Sequence, residues 1–221
     1  MGTYPVGLPQ VKIRCHKEAS GNTTAAQQLC CDPTFLQQTC AQSPIRSMKV
    51  VRLRLNLTRS LLEDPVLNQA KIILLVRDPR STIASRLSRP WCTPENCKSP
   101  ARLCEDLDND LDAYDELVRL YPTRVTMVKY ESVAKYPVRT FKSLYNFIGI
   151  PFTQAIRKEI VSCTQVPQVD SWKDKLDSQQ IEDIRESCYS VLQRLKYPFY
   201  CNNNKPYCRT LPVAELAKDK I

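Results

Sequence analysis

One apolar run restricts the fold of this chain more than any other feature of its sequence. Lys71-Ile-Ile-Leu-Leu-Val76 continues without a polar residue after its lysine, which is typical of a strand buried on both faces in a parallel sheet. Arg77 closes the run, and Asp78 and Pro79 are typical of the N-cap and the first position of a helix. A buried strand that passes directly into a helix predicts an α/β fold, a three-layer sandwich with a mainly parallel sheet and right-handed crossovers.

Other segments continue this alternation of strands and helices. Met48–Leu55 is rich in β-branched residues and predicts a strand, and Arg124–Tyr130 predicts another. Ser99 and Pro100 are expected to start a long helix that Pro122 stops. The apolar residues of this helix recur at steps of three and four: Leu103, Leu107, Leu111, Tyr114, Val118 and Tyr121.

The C-terminal half predicts two more helices, and the whole pattern suggests a division of the chain. Phe141–Ile148 has helical periodicity and ends at Gly149, and a last helix is predicted from Asp177 to Leu195. We expect one domain over residues 45–198. Residues 1–44 form a poorly defined cysteine-containing segment before it, and residues 199–221 form a cysteine-containing tail.

Eleven cysteines indicate an oxidising compartment. Zinc does not explain them, because the chain has no Cys-x-x-Cys pair and its only histidine is His16, so we expect no metal site. Cys92/Cys97 and Cys201/Cys208 flank irregular loops that disulfide bridges would close. Two glycosylation sequons begin at Asn22 and Asn56 and support the same compartment. The alternative is a cytosolic protein with many buried thiols.

No segment of the sequence predicts a membrane span or a secretory signal. The longest apolar run is far shorter than the roughly 18 to 20 residues that a span requires. The first residues lack a basic segment followed by an apolar one. We therefore expect the targeting segment and any membrane anchor to lie outside this chain.

Arg77 and Ser85 are the strongest candidates for a binding site. Ligands of parallel α/β sheets lie at the carboxyl ends of the strands, where a helix N-terminus favours anions. Arg77 lies at such a strand end, and Ser85 lies eight residues further along on a helix face that differs from the apolar one. A guanidinium and a hydroxyl in this arrangement suit a phosphate. The alternative is a solvated basic loop in which Arg77 or Arg80 pairs with Asp78.

These residues resemble a known family. Val76-Arg-Asp-Pro-Arg followed by Ser85-Arg86 is similar to the 3′-phosphate-binding segment of sulfotransferases, which use 3′-phosphoadenosine 5′-phosphosulfate (PAPS). Five further segments occur in the order found in Golgi carbohydrate 6-O-sulfotransferases: Met48-Lys-Val-Val-Arg-Leu, Leu103-Cys-Glu-Asp-Leu, Val128-Lys-Tyr-Glu-Ser-Val, Leu144-Tyr-Asn-Phe-Ile-Gly and Ser171-Trp-Lys. The resemblance covers about Cys30 to Tyr197.

The resemblance implies a function, a donor and a set of site residues. It implies that Arg77 and Ser85 hold the 3′-phosphate of PAPS, and that Trp172 and Lys173 lie near this donor, although a lone tryptophan is more often a core residue. The acceptor would be N-acetylglucosamine, galactose or N-acetylgalactosamine in keratan or chondroitin glycosaminoglycans, and the location would be the Golgi lumen. We expect a glycan partner and no nucleic acid, and the charge of +9 suits polyanionic ligands.

The chain also departs from the family pattern. The family has a glycine-rich phosphosulfate loop after its first strand, whereas Gly2 and Gly7 are followed by Leu8-Pro9 and not by the Lys-Ser/Thr of a phosphate loop. We therefore expect an N-terminally shortened sulfotransferase domain without this strand and loop. Lys49 and Arg52 are weak candidates for stabilising charge in the reaction, and the competing interpretation is that both are exposed strand residues.

Two functions from different classes remain open. The first is a PAPS-dependent sulfotransferase that transfers a sulfuryl group to a sugar 6-hydroxyl in the secretory pathway. The second is a non-catalytic, disulfide-linked remnant that binds a nucleotide or an acidic glycan.

Overall fold

The computed structural model describes residues 32–42, 44–51, 53–93, 95–164 and 169–199. The chain divides into two compact units, residues 1–53 and residues 54–221. The described part of the first unit contains helix α1 (Pro33–Gln42), followed by a segment without regular structure. The expected domain limits at residues 44 and 198 stay a prediction.

The strand predicted at Met48–Leu55 is wrong. Residues 45–50 have no regular secondary structure, and Leu55–Thr58 is a short 3₁₀ helix. Val50 and Val51 are exposed, and no neighbouring strand pairs with them in the described part of the chain. A β-branched segment forms a strand only where a neighbour supplies hydrogen bonds and a surface to pack against, so composition alone misled here.

The second unit alternates helices with two strands. After the 3₁₀ helix come α2 (Arg59–Glu63) and a 3₁₀ turn at Pro65–Leu67. Strand β1 (Ile72–Val76) is followed by helix α3 (Pro79–Leu87). The remaining elements are α4 (Glu95–Lys98), α5 (Pro100–Leu120), β2 (Val125–Lys129), α6 (Tyr130–Lys135), α7 (Pro137–Ile148), α8 (Gln154–Cys163), α9 (Trp172–Lys175), α10 (Ser178–Ser187) and α11 (Tyr189–Arg194). None of these helices has the length and apolar character of a membrane span within the described residues.

Strands β1 and β2 form a parallel pair, in which Ile72 lies opposite Val125 and Val76 opposite Lys129. Helices α3, α4 and α5 form the crossover between them. The predicted parallel pairing and the α/β class are therefore confirmed. Burial of β1 on both faces is wrong, because Ile73 and Leu75 are 40% and 58% exposed while Val76 is buried.

The long helix α5 follows the sequence prediction closely. The Ser99 hydroxyl accepts a hydrogen bond from the Arg102 backbone N–H at 3.3 Å, and Pro100 occupies the first turn. Leu111 and Leu117 are buried on the inner face of the helix. A polar cap and an apolar stripe thus determine both its start and the face that packs inward.

Two apolar clusters form the core of the second unit. The larger includes residues of β1, α3, α5, α9, α10 and α11, with Val76, Ile83, Trp172, Ile184 and Leu192 among its members. The smaller packs α5 against β2 and the segment at residues 55–62. The first cluster places α3 and the C-terminal helices on one side of the carboxyl end of β1.

Two disulfides link the helices of this unit. Cys92–Cys97 closes the loop after α3, as its spacing predicted, and Cys104–Cys188 joins α5 to the junction of α10 and α11. That junction divides the single helix predicted from Asp177 to Leu195 into two. Cys201 and Cys208 lie outside the described residues.

Candidate phosphate-binding site

A cavity of about 210 Å³ lies at the carboxyl end of β1. It is bordered by the end of this strand, one face of α3, one face of α5 and the residue that precedes the 3₁₀ helix. Its lining residues are Arg54, Leu75, Val76, Arg77, Thr82, Arg86, Leu103, Asp106, Leu107 and Asp110. The cavity therefore lies where the sequence predicted an anion site.

Arg77 is held in this cavity by an aromatic ring. Its guanidinium carbon lies 4.6 Å from the centroid of the Tyr130 ring, within the range of a cation–π contact. Its Nε atom is buried and has no hydrogen-bond partner among the described residues. Buried donors are almost always paired, so this N–H is available to an acceptor that enters the cavity.

Arg54 forms ion pairs with the two carboxylates of the cavity. Its guanidinium lies 3.4 Å from Asp106 and 3.1 Å from Asp110, although its Nη2 atom is not aligned for a hydrogen bond. Burial raises the pKa of Asp110, and a hydrogen bond from the Leu55 backbone N–H and the charge of Arg54 oppose that rise. Arg102 lies 3.5 Å from Asp106 as well, so the two acids together face two arginines. Among the described residues, Arg77 and Arg86 form no ion pair with a carboxylate.

The turn between β1 and α3 is fixed by a buried ion pair. Arg80 donates from Nε to Asp78 Oδ1 at 2.9 Å and from Nη2 to Asp78 Oδ2 at 2.7 Å. Both side chains are buried, and Arg80 also donates to the Pro198 carbonyl at 2.8 Å. The Asp78–Arg80 pair of the alternative interpretation is thus present, but it is buried and does not belong to a solvated loop. Arg77 stays free of that pair and faces the cavity.

Glu131 ties this turn to β2 and to the C-terminal segment. Its Oε1 atom accepts a hydrogen bond from the Asp78 backbone N–H at 3.0 Å, and its Oε2 atom accepts one from the Tyr197 hydroxyl at 2.7 Å. Burial and this hydrogen bond raise the pKa of Tyr197. Tyr130 and Glu131 therefore order the residues on either side of the β1–α3 turn.

Ser85 lies on α3 beside the cavity. It is three residues after Thr82, which lines the cavity, and residues at this spacing are neighbours on one helix face. Its hydroxyl forms no hydrogen bond with another described residue, whereas the Ser81 hydroxyl donates to the Val169 carbonyl at 3.0 Å. No direct hydrogen bond joins Arg77 to Ser85 among the described residues. Their shared role in binding a phosphate stays a prediction.

Trp172 contacts Arg80, and neither Trp172 nor Lys173 is among the residues that line the cavity. Trp172 is 3% exposed, and its ring lies 4.4 Å from the guanidinium carbon of Arg80. Lys173 lies 3.6 Å from Asp170 and 5.8 Å from the Trp172 ring. Their predicted proximity to the donor stays a prediction.

The two weak candidates for charge stabilisation lie in the first unit. Lys49 is in the exposed, irregular segment that replaces the expected strand. Arg52 lies outside the described residues, so its role is a prediction only.

Five polar residues that line the cavity were not among the candidates from the sequence: Arg54, Thr82, Arg86, Asp106 and Asp110. Asp106 and Asp110 are spaced by four on α5, and Arg86 follows Thr82 by four on α3. These spacings put each pair on one helix face, which is a signal that the sequence contains. That the two faces and Arg54 meet around Arg77 depends on tertiary packing, for which no local pattern exists.

Comparison with known proteins gives a consistent family. Residues 54–154 match the model of the sulfotransferase family, and the match begins at the first residue of the second unit. The chain is 26% identical over 196 residues to carbohydrate sulfotransferase 1 of Homo sapiens, which covers 74% of this chain and 47% of that protein. It is 32% identical over 174 residues to carbohydrate sulfotransferase 3 of Mus musculus (70% and 37%), and 30% identical over 171 residues to that of Tetronarce californica (69% and 38%). The chain thus spans less than half the length of these relatives.

Proposed function

Because this chain belongs, through residues 54–154, to the sulfotransferase family, we propose that it transfers a sulfuryl group from PAPS to a hydroxyl of a glycan. The observation that carries this proposal is the buried Nε atom of Arg77 at the carboxyl end of β1, which has no hydrogen-bond partner in the described part of the chain. A rigid arginine fork is the side chain best suited to a phosphate. Its stacking on Tyr130 holds the fork before any ligand arrives, which lowers the cost of ordering it.

The residues of the cavity act on the nucleotide end of the donor. In the reaction, the bond between sulfur and the bridging oxygen of the 5′-phosphate breaks. A new bond forms between sulfur and the sugar oxygen, whose proton leaves. The products are a sulfate ester and 3′-phosphoadenosine 5′-phosphate (PAP). Arg77 and Ser85 hold the 3′-phosphate, which does not change during transfer, so their contribution is to fix the position of the sulfur.

The acceptor and the location are assigned on separate grounds. We assign the acceptor to a sugar 6-hydroxyl of the keratan, chondroitin or N-acetylglucosamine type, because the sequence resembles Golgi carbohydrate 6-O-sulfotransferases. Relatives named carbohydrate sulfotransferases support a sugar acceptor in general. The disulfides Cys92–Cys97 and Cys104–Cys188 support an oxidising compartment, for which we propose the Golgi lumen. The three-layer sandwich and the phosphate-loop-like arrangement of the family belong to the same proposal.

Two measurements on the 221-residue chain test the function. Calorimetry compares PAP with adenosine 5′-phosphate, and transfer of radiolabelled sulfate from PAPS is followed on a panel of desulfated glycans. PAP binding together with transfer supports the enzyme. PAP binding without transfer to any glycan favours the alternative, a non-catalytic binding domain. Absence of PAP binding rejects the proposal.

A further inference from the structure

The acidic charge of helix α5 is compensated within the protein. The helix has seven acidic residues and only two basic ones. Each of the seven carboxylates forms an ion pair with an arginine in the described part of the chain: Glu105, Asp106, Asp108, Asp110, Asp112, Asp115 and Glu116. The carboxylates of α5 are therefore already occupied by cations of the same molecule.

The helices after β2 have the opposite charge, and there the charge is not compensated. Residues 132–164 include α7, α8 and most of α6, and they contain five basic residues but a single acid, Glu159, which gives a net charge of +4. The five side chains are all exposed, and we call them the α6–α8 basic surface: Lys135, Arg139, Lys142, Arg157 and Lys158. None of them forms an ion pair with a carboxylate of the described residues.

The cations of α7 lie close together on a helix that packs against α8. Arg139 and Lys142 are spaced by three, so they are neighbours on one face of α7. The ring of Tyr145 on α7 meets that of Phe152, just before α8, edge to face with 5.6 Å between their centroids. The two helices thus present their cations from one packed pair.

The cations of α8 border an open depression of about 350 Å³. Arg157 and Lys158 line it together with Gln154, Val161 and Ser162, which all lie on the same helix. Val161 is 60% exposed, so no other described element covers this side of α8. The depression combines two positive charges with polar groups and a small apolar area, and it is open to a ligand that lies along the helix.

The basic surface begins close to the nucleotide cavity. Tyr130, whose ring stacks on Arg77, is the first residue of α6, and Lys135 is the last. Five residues of helix correspond to about 7.5 Å along its axis. The Lys135 ammonium lies 5.3 Å from the ring centroid of Tyr136, which is 51% exposed. An exposed tyrosine has an apolar ring and a polar hydroxyl, both of which a sugar can contact.

We propose that the α6–α8 basic surface binds an acidic glycan chain, a polymer with repeated carboxylate or sulfate groups. Exposed cations without internal partners are complementary to such a polymer, and several of them act together although each contributes little. The inference deepens the proposed function and rests on it for the choice of a glycan. The surface holds the polymer outside the cavity, so the nucleotide and the glycan chain bind to different side chains.

The test measures the binding of chondroitin sulfate to wild type and to charge variants. We expect the quadruple variant Arg139→Gln/Lys142→Gln/Arg157→Gln/Lys158→Gln to weaken binding by about 10-fold or more at low ionic strength, where exposed charges are least screened. Arg119→Gln/Lys175→Gln, the matched control, removes exposed cations from outside the surface and should bind like wild type. PAP binding should be unchanged in all variants. An equal affinity of wild type and the quadruple variant for chondroitin sulfate overturns the inference.

Two other polymers test the assignment to an acidic glycan. Dextran, a neutral polysaccharide, should not bind, and affinity for chondroitin sulfate should fall as salt is added. If duplex DNA binds as tightly as chondroitin sulfate and loses its affinity in the same variants, the surface recognises charge alone, and the assignment to a glycan is overturned. If dextran binds like chondroitin sulfate, charge is not the basis of recognition, and the inference is again overturned.

The outcomes also separate this inference from the proposed function. If wild type does not bind PAP, the proposed function fails, whatever the polymers do. If wild type binds PAP and the variants bind chondroitin sulfate normally, only the role of the surface fails. If the quadruple variant does not fold, the pairs Arg139→Gln/Lys142→Gln and Arg157→Gln/Lys158→Gln replace it. Each pair should weaken chondroitin sulfate by about 3-fold, and unchanged affinity in both overturns the inference.

Discussion

Arg77 concentrates the binding chemistry of the cavity in one side chain. Replacing it with alanine removes a fork that is oriented by Tyr130 and has a buried, unpartnered N–H. We expect Arg77→Ala to weaken PAP binding by about 1.5 to 3 kcal/mol, the usual contribution of hydrogen bonds to a charged group. Calorimetry measures this affinity, with Arg89→Ala as the control, because Arg89 is exposed and does not line the cavity. An unchanged affinity of Arg77→Ala would contradict the assignment of Arg77.

The hydroxyl of Tyr197 makes the stability of the fold decrease at alkaline pH. Burial and its hydrogen bond to Glu131 raise the pKa of its hydroxyl. The folded state therefore holds this proton more tightly than the unfolded chain, in which a tyrosine has a pKa of about 10. The hydroxyl therefore contributes fully to the free energy of unfolding below that pH, and this contribution falls as the pH rises above it. We expect wild type to lose about 1 kcal/mol more than Tyr197→Phe between pH 8 and 10.5 in urea unfolding.

The control for this pH dependence is Tyr189→Phe. This variant removes a hydroxyl from a side chain that is 51% exposed. Parallel pH profiles for wild type and Tyr197→Phe would show that the hydroxyl of Tyr197 does not couple to folding.

Among the helices and strands, the sequence predicted correctly those that neighbouring residues specify. Helix α5 has a serine cap, a proline and an apolar stripe, and α7 ends at Gly149, so neighbouring residues alone specify both. The strand at Met48–Leu55 was wrong, and helix α8 (Gln154–Cys163) was missed. A strand depends on a distant partner, which its own residues do not reveal. Helix α8 does carry a local signal, because the Thr153 side chain accepts a hydrogen bond from the Ile156 backbone N–H, and Ile156 and Ile160 are spaced by four.

The candidate site shows the same division between local and tertiary information. Arg77 was predictable, because a strand end followed by an N-cap is a pattern within three residues. Arg54, Asp106 and Asp110 enter the cavity only because α5 packs beside β1 and a residue far upstream in the chain. Their ion pairing is a property of the packed structure.

The end of α7 provides a test at this scale. Gly149 has a φ of +78°, a left-handed conformation that side chains rarely adopt, and a Cβ added there would contact nothing within 4 Å. We therefore expect Gly149→Ala to lower the free energy of unfolding by about 1 kcal/mol through backbone strain alone. Gly149→Asn should cost less, because asparagine tolerates this conformation. Equal stability of all three proteins in urea unfolding would contradict the argument.

For the whole molecule, the two disulfides should differ in their contribution to stability. Cys104–Cys188 spans 84 residues and Cys92–Cys97 only 5. A longer loop restricts the unfolded chain more, so we expect Cys104→Ala/Cys188→Ala to cost about 2 to 5 kcal/mol and Cys92→Ala/Cys97→Ala less. Urea unfolding measures both free energies, with Cys163→Ala, which changes an exposed free thiol, as the control. A larger loss for the shorter loop would contradict this order.

The crossover between β1 and β2 has a consequence for how fast the chain folds. Ile72 pairs with Val125 across more than fifty intervening residues. The entropy of closing this loop is therefore lost before any hydrogen bond of the sheet can form. Helix α5 lies inside that loop and needs only local contacts to form. We expect it to be ordered in the rate-limiting transition state, while pairing of the strands and burial of the Cys104 and Cys188 sulfurs follow. Oxidation of that pair is therefore fastest before the core closes, which makes the timing of disulfide formation, and not only its outcome, a property of this topology.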